Sequence, residues 1–316
     1  MPVNLVRFEH RGTTRWGRHT DDGIVPLSGT FAGTRELVTA VPPDAIEAGS
    51  DGIVPLAEAR LLSPVTRDRQ VICQGKNYAA HALESGMRPE DKGYNMIFRK
   101  ASSAIVAADS DLVRPAHVRL LDYEIELGLV LKRDIDGPVR VDETNLHEFV
   151  AGVTIVNDYS ARDVQLPQMQ FYKGKSFRTF APVGPYLCLL APHEMHYLRN
   201  LELTLAVNGE VRQRGRTDQM IHTPAATLTE LSGVQDLRAG DLIATGTPAG
   251  CAMRLPTGWR QKLALLLPEA KRWELFRRSQ ADRPYLRPGD VVTSRIASRD
   301  GVVDLGEQRN RVVEGT

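Results

Sequence analysis

The chain has 316 residues, enough to bury a large core as one domain or two. Charged residues make up 25% and hydrophobic ones 42%, and the net charge of +1 supplies no general attraction to nucleic acid or an anionic membrane. No apolar run approaches the roughly 20 residues that span a bilayer, and the amino terminus reaches charge at Arg7 without an apolar signal core. Cys73, Cys188 and Cys251 lie far apart, with no metal-binding pair spacing, which fits a reducing compartment. A cytoplasmic protein with no nucleic-acid and no membrane partner is therefore expected.

Residues 1–65 read as a small β-rich unit. Val3, Leu5 and Phe8 mark a first strand, Gly12-Thr13 a turn, and Thr14 to Arg18 the return. The hexapeptide Asp-Gly-Ile-Val-Pro-Leu occurs at Asp22–Leu27 and again at Asp51–Leu56, two turn-strand pieces around a short helix over Thr34–Val41. The character changes after Leu62–Arg69. Val71-Ile72-Cys73 reads as a buried strand, and a helix opens at Tyr78 with Asn77 as its N-cap. His81 and Glu84, three apart, share a face of that helix, where a carboxylate can orient an imidazole for proton transfer; an exposed helix pair is the other reading. Gly86 to Gly93 reads as a loop able to act as a lid.

Met96–Phe98 and Ala104–Val106 are strand candidates, followed by the most telling stretch, Asp122 to Leu131. On a strand, Glu124 and Glu126 point to one face. Two carboxylates that close repel each other, and burying them is costly unless a hard divalent cation takes their oxygens; the alternative is an edge strand with a solvated acidic face. Val153–Val156 is a buried strand running into Asp158, a carboxylate placed to complete such a site. Arg162 and Gln165 share a face if a helix starts near Ser160. Lys175 precedes the rigid turn around Gly184-Pro185, as a held cation or an ordinary surface lysine.

The remainder is β-rich. Leu201–Val207 is a strand, Asn208-Gly209-Glu210 a hairpin turn, and Pro224–Leu231 a short helix. Leu237–Ile243 and Leu286–Val292 echo each other as Gly-Asp turns feeding strands, consistent with a rolled sheet. The first continues into Thr245-Gly246-Thr247-Pro248, which exposes backbone N–H groups and the Thr247 hydroxyl but lacks the spacing and lysine of a nucleotide loop. Residues 256–285 read as an inserted helical pair, basic and aromatic over Lys271–Arg278. His193 and His196 are spaced wrongly for the zinc-protease helix motif.

Together these segments resemble the fumarylacetoacetate hydrolase family. The carriers are Asn77 to His81 with Glu84, Asp122 to Leu127, Asn157 to Gln165, Gly174 to Phe177 with Pro182 and Gly184-Pro185, Gly240-Asp241 with Thr245 to Gly250, and Arg309-Asn310 with Val312. They follow the family's order over about residues 71–313. The resemblance implies an α+β, mainly β fold, a rolled mixed β-sandwich with a small N-terminal β-rich domain (1–65) before the catalytic domain (66–316), and a homodimer. It implies Mg²⁺, or Mn²⁺ or Ca²⁺ in its place, on Glu124, Glu126 and Asp158. It gives catalytic roles to His81, Glu84 and Lys175, and substrate contacts to Tyr78, Arg162, Gln165 and Thr247. The implied activity is metal-dependent hydrolysis of a C–C bond in an acylpyruvate or related 2-oxo acid or diketone, through an enolate held by the metal. Decarboxylation, dehydration or isomerisation of a 2-oxo acid are the alternatives, with a non-catalytic binding protein behind them. Arg178, where many members carry Asp, the altered ending Gly306 to Asn310 and the insertion depart from the pattern; Arg178 and the insertion bear on substrate identity and not on the metal site.

Overall fold

The computed structural model describes residues 1–40, 52–86, 94–255 and 267–315. Among these, ten strands form one sheet and five form a second. The larger runs in the order Gly23–Pro26, Thr13–Thr20, Val3–His10, Leu187–Leu189, Val150–Asn157, Ile125–Leu131, Leu242–Ala244, Val71–Gly75 and Met96–Lys100, with Arg60–Leu62 also on Val3–His10. The smaller runs Glu210–Arg216, Leu201–Val207, Val291–Ser298, Asp304–Glu314 and Leu112–Arg114. Leu242–Ala244 lies parallel to Val71–Gly75, and Asp304–Glu314 parallel to Leu112–Arg114, so both sheets are mixed. The α+β, mainly β class and the sandwich agree with the sequence reading.

Side-chain alternation shows how the layers stack. Leu201, Leu203, Leu205 and Val207 are buried, while the residues between them are part-exposed, as one covered face requires. Every residue of Ile125–Leu131 is buried, because both faces of that strand are covered. Ile125, Leu127, Leu129 and Leu131 pack between the sheets with Leu203, Leu205 and Ile296. Val130 belongs to the opposite face, in a cluster with Val156, Leu242, and Leu37 and Val38 of the helix Thr34–Ala40. Each such aliphatic side chain contributes on the order of 1.5–3 kcal/mol when removed from water. Glu126 and Gly128 alternate with the inter-sheet residues, so Glu126 emerges on the Val130 side at the start of this doubly covered strand.

The N-terminal strands are an edge of the ten-stranded sheet, joined to it by Val3–Leu5 on Leu187–Leu189. The hexapeptide copies pair with each other, Ile24 and Val54 exchanging backbone hydrogen bonds at 2.8 Å in both directions; Asp51 of the second copy lies outside the described residues. So do 87–93, the body of the expected lid loop, and 256–266, which hold most of the first expected insertion helix; the second is the helix Glu269–Ser279. Among the described residues no helix is long and apolar enough to cross a membrane.

Candidate active site

The acidic cluster is built where two central strands meet. The regular strand begins only at Ile125, so Glu124 precedes it and does not share a simple alternating face with Glu126. Long-range backbone bonds bring them together instead. The Glu124 N–H donates to Asn157 Oδ1 at 3.0 Å, and the Asp158 N–H donates to the Glu124 carbonyl at 2.8 Å. One carboxylate oxygen each from Glu124, Glu126 and Asp158 then lie within 4.8 Å of one another. Their exposures are 5%, 1% and 0%, which rules out a solvated acidic strand face.

Three buried cations surround the cluster. Arg162 Nε donates to Asp122 Oδ2 at 2.9 Å and its Nη2 pairs with Glu124. Lys175 Nζ donates to Glu124 Oε2 at 2.7 Å and also pairs with Asp158. Lys100 pairs with Asp158 and donates to the Phe180 carbonyl at 2.8 Å. Asp122 also accepts the N–H groups of Ala252 and Met253 at 2.8 and 3.1 Å, so it orients Arg162. Among the described residues Glu126 has no ion pair and accepts one hydrogen bond, from the Gly246 N–H at 2.9 Å. Gly246 sits at φ 88°, and a Cβ there would meet the Asn77 Cβ at 2.7 Å, so only glycine offers that N–H.

The electrostatics follow. Burial pushes the Glu126 carboxyl well above its usual range, with Asp158 and Glu124 adding to the effect. Burial also pushes Glu124 up, but Arg162 and Lys175 outweigh it and hold its carboxyl far below that range. Burial opposes the charge on Lys175, yet Asp158 and Glu124 hold its ammonium firmly protonated. Four buried carboxyl groups thus face three buried cations, and Glu126 is the one left without a cation. An all-oxygen donor set with one uncompensated carboxylate fits a hard divalent cation.

Beside the cluster is a pocket of about 340 Å³. Seven of the ten residues singled out from the sequence line it: His81, Glu124, Glu126, Arg162, Gln165, Lys175 and Thr247. Asp158, Glu84 and Tyr78 do not line it; Tyr78 is buried in the core, its hydroxyl without a hydrogen-bond partner. Arg162 opens the helix Arg162–Gln168 and its Nη1 donates to Gln165 Oε1 at 2.9 Å, so the expected shared face holds. Lys175 ends the short helix Phe171–Lys175, its ammonium 4.9 Å from the centre of the Phe98 ring. Gln213 Nε2 donates to the Thr247 hydroxyl at 2.8 Å.

His81 lies on the helix Ala79–Glu84, whose N-cap is Tyr78 and not Asn77. The Asn77 side chain is engaged across the chain, donating to the carbonyls of His222 and Thr245 at 3.0 and 2.9 Å. His81 Nδ1 is 3.9 Å from Glu84 Oε2 and 3.7 Å from Cys251 Sγ. Glu84 is pinned by the Gly250 N–H at 2.9 Å and by Arg254. Burial pushes its carboxyl up, but the imidazole, the Gly250 N–H and Arg254 bring it below the usual value, so it stays ionised. Lys100, Gln213 and Arg254 were not visible from the sequence. Lys100 shares a strand face with Phe98, and a lysine ending the apolar run Met96-Ile97-Phe98 was the only hint.

Comparison with known proteins agrees with this architecture. The family model described as fumarylacetoacetate (FAA) hydrolase C-terminal matches residues 70–313, and the model described as Rv2993c-like, N-terminal, matches residues 4–64. The chain is 40% identical over 200 residues to Protein Rv2993c of Mycobacterium tuberculosis, covering 62% of this chain and 71% of the relative. It is 35% identical over 259 residues to the mitochondrial oxaloacetate tautomerase Fahd2a of Rattus norvegicus, covering 80% and 71%. Among solved structures it is similar to 2-hydroxyhepta-2,4-diene-1,7-dioate isomerase from Mycobacterium marinum, with a TM-score of 0.70, 26% identity, and coverage of 99% and 98%. The matched span, the mixed sandwich and the buried acidic cluster make this chain a member of the fumarylacetoacetate hydrolase family.

Proposed function

We propose that this protein is a divalent-cation-dependent enzyme that moves a proton at the carbon beside the 2-oxo group of an oxaloacetate-type acid, interconverting keto and enol forms. The observation that carries the reading is that Glu124, Glu126 and His81 line one small pocket, with Asp158 directly behind. Glu124, Glu126 and Asp158 would hold the cation, which supplies Lewis-acid polarisation of the substrate's oxygens. The family-wide use of divalent metals and the relatives named as tautomerase and isomerase support this choice over others.

The chain's own groups divide the remaining work. Arg162 and Lys175 keep Glu124 ionised, and Lys175 and Lys100 fix the direction of the Asp158 carboxylate. A single excess negative charge, set against a divalent cation, leaves one positive charge for a substrate carboxylate to neutralise. Gln165 and Thr247 offer an amide and a hydroxyl for that carboxylate. His81 Nδ1 faces Glu84 and Cys251, which leaves Nε2 to take the proton from carbon and return it to oxygen. Glu84, held by Arg254, keeps the ring oriented.

The same His81–Glu84 pair favours a second reading, in which the imidazole activates a water that cleaves the C–C bond of an acylpyruvate. A homodimer is part of both readings. The test is a panel of oxaloacetate and acylpyruvates with Mg²⁺ or Mn²⁺, followed by enol absorbance and product mass. Loss of enol signal without a mass change supports tautomerisation, and release of pyruvate plus an acid supports hydrolysis. No turnover on any member of the panel would sink both.

A further inference from the structure

Away from that pocket, a cleft of about 620 Å³ lies at the end of the helix Glu269–Ser279. Arg114, Arg119, Arg277, Arg283 and Arg287 line it, with Asp163 as the one carboxylate. Asp163 accepts the Arg119 backbone N–H at 2.7 Å through Oδ2, while its buried Oδ1 has no hydrogen-bond partner, so one carboxylate offsets part of the charge of five guanidinium groups. Among the described residues Arg119, Arg277, Arg283 and Arg287 form no ion pair, and Arg114 reaches Glu314 only at 3.5 Å while its buried Nε has no partner. The chain as a whole carries +1, so this concentration is local. Like charges in one concavity repel unless an anion joins them, and a concave surface focuses their field on such a ligand. Guanidinium forks match phosphate oxygens in pairs, and a cleft of this size suits a small molecule and not a polymer.

We infer that this arginine-lined cleft binds a small metabolite bearing two phosphate groups and communicates with the catalytic pocket. Two connections lead inward. Leu120 lines the cleft, and its carbonyl accepts the N–H of Arg162 at 2.9 Å. Gln280, also in the wall, donates to the Arg254 carbonyl at 2.9 Å, and the Arg254 guanidinium holds Glu84 beside His81. A ligand drawing Arg277 and Arg283 together acts on the ends of the segment that carries Gln280. This regulatory half rests on the role proposed above for His81 and Glu84; the binding half does not.

The test is calorimetric titration of the metal-loaded full chain with fructose 1,6-bisphosphate, with free metal held constant by matched metal in the cell and syringe. Saturable binding near one per chain is expected, weakened about tenfold or more by Arg119→Ala or Arg283→Ala, since a charge-assisted contact is worth at least about that factor. Arg283→Lys, which keeps the charge but not the fork, should weaken it as well. Bisphosphate at a concentration that just saturates the wild type should shift its KM for the 2-oxo acid and shift that of Arg283→Ala much less. Binding unchanged in both alanine variants, equal affinity for propane-1,2,3-tricarboxylate, or tighter binding of a duplex oligonucleotide would each overturn the assignment. An enzyme that binds the bisphosphate but turns over no 2-oxo acid would contradict the proposed reaction alone.

Discussion

The residue that tells most about this site is Glu126, because it is the buried carboxylate without a cation of its own. Its pKa is raised by burial and by Asp158 and Glu124, so in the metal-free protein it destabilises the fold increasingly as pH rises through the carboxylate range toward that raised value. Metal binding needs it ionised. Cation affinity should therefore rise with pH, and titration in buffers of different ionisation heat should show about one proton released per ion bound. Glu126→Gln should abolish the thermal shift caused by Mg²⁺ or Mn²⁺ while leaving the metal-free protein no less stable than the wild type at neutral pH. Lys100 gives the opposite behaviour. Both it and Asp158 are fully shielded, so Lys100→Met removes one of the two ammonium partners of Asp158, leaving Lys175, and should cost about 1–3 kcal/mol in a denaturant titration.

At the scale of elements, the site depends on where strands and helices end. The expected strand through Glu124 and Glu126 breaks before Ile125, and Asn157 and Asp158 clasp the broken end. The cluster was legible because three carboxylates stood beside apolar β runs. Its geometry was not, since the bonds from the Glu124 backbone to Asn157 and Asp158 that close it join residues 33 and 34 apart in sequence. The hairpin after Leu201–Val207 and the helix Pro224–Ser232 were legible, because alternation and an N-cap with proline are local signals. Asn77 misled as an N-cap because its side chain is claimed by His222 and Thr245, far along the chain. The helix Ala79–Glu84 has only six residues, too short to hold itself; it is fixed through Glu84 by Gly250 and Arg254. Arg254→Ala should then lower kcat about tenfold, the loss of one oriented charged contact, with metal affinity measured by calorimetry unchanged.

For the whole molecule, two mixed sheets enclose the core, and the acidic cluster emerges where the doubly covered strand Ile125–Leu131 begins. Rigid walls on both sides let carboxylates be held close together without solvent. Residues 1–65, proposed to be a separate scaffold unit, extend the larger sheet by its edge strands. Glu124, Glu126 and Asp158 are proposed to hold one divalent cation that the reaction requires. This is tested most directly by stripping the protein with a chelator and titrating Mn²⁺ back while following oxaloacetate enol absorbance. Activity should be absent at first, return in proportion to one ion bound per chain, and fail to return in Asp158→Asn. Full turnover by the stripped protein, or normal recovery in Asp158→Asn, would contradict it.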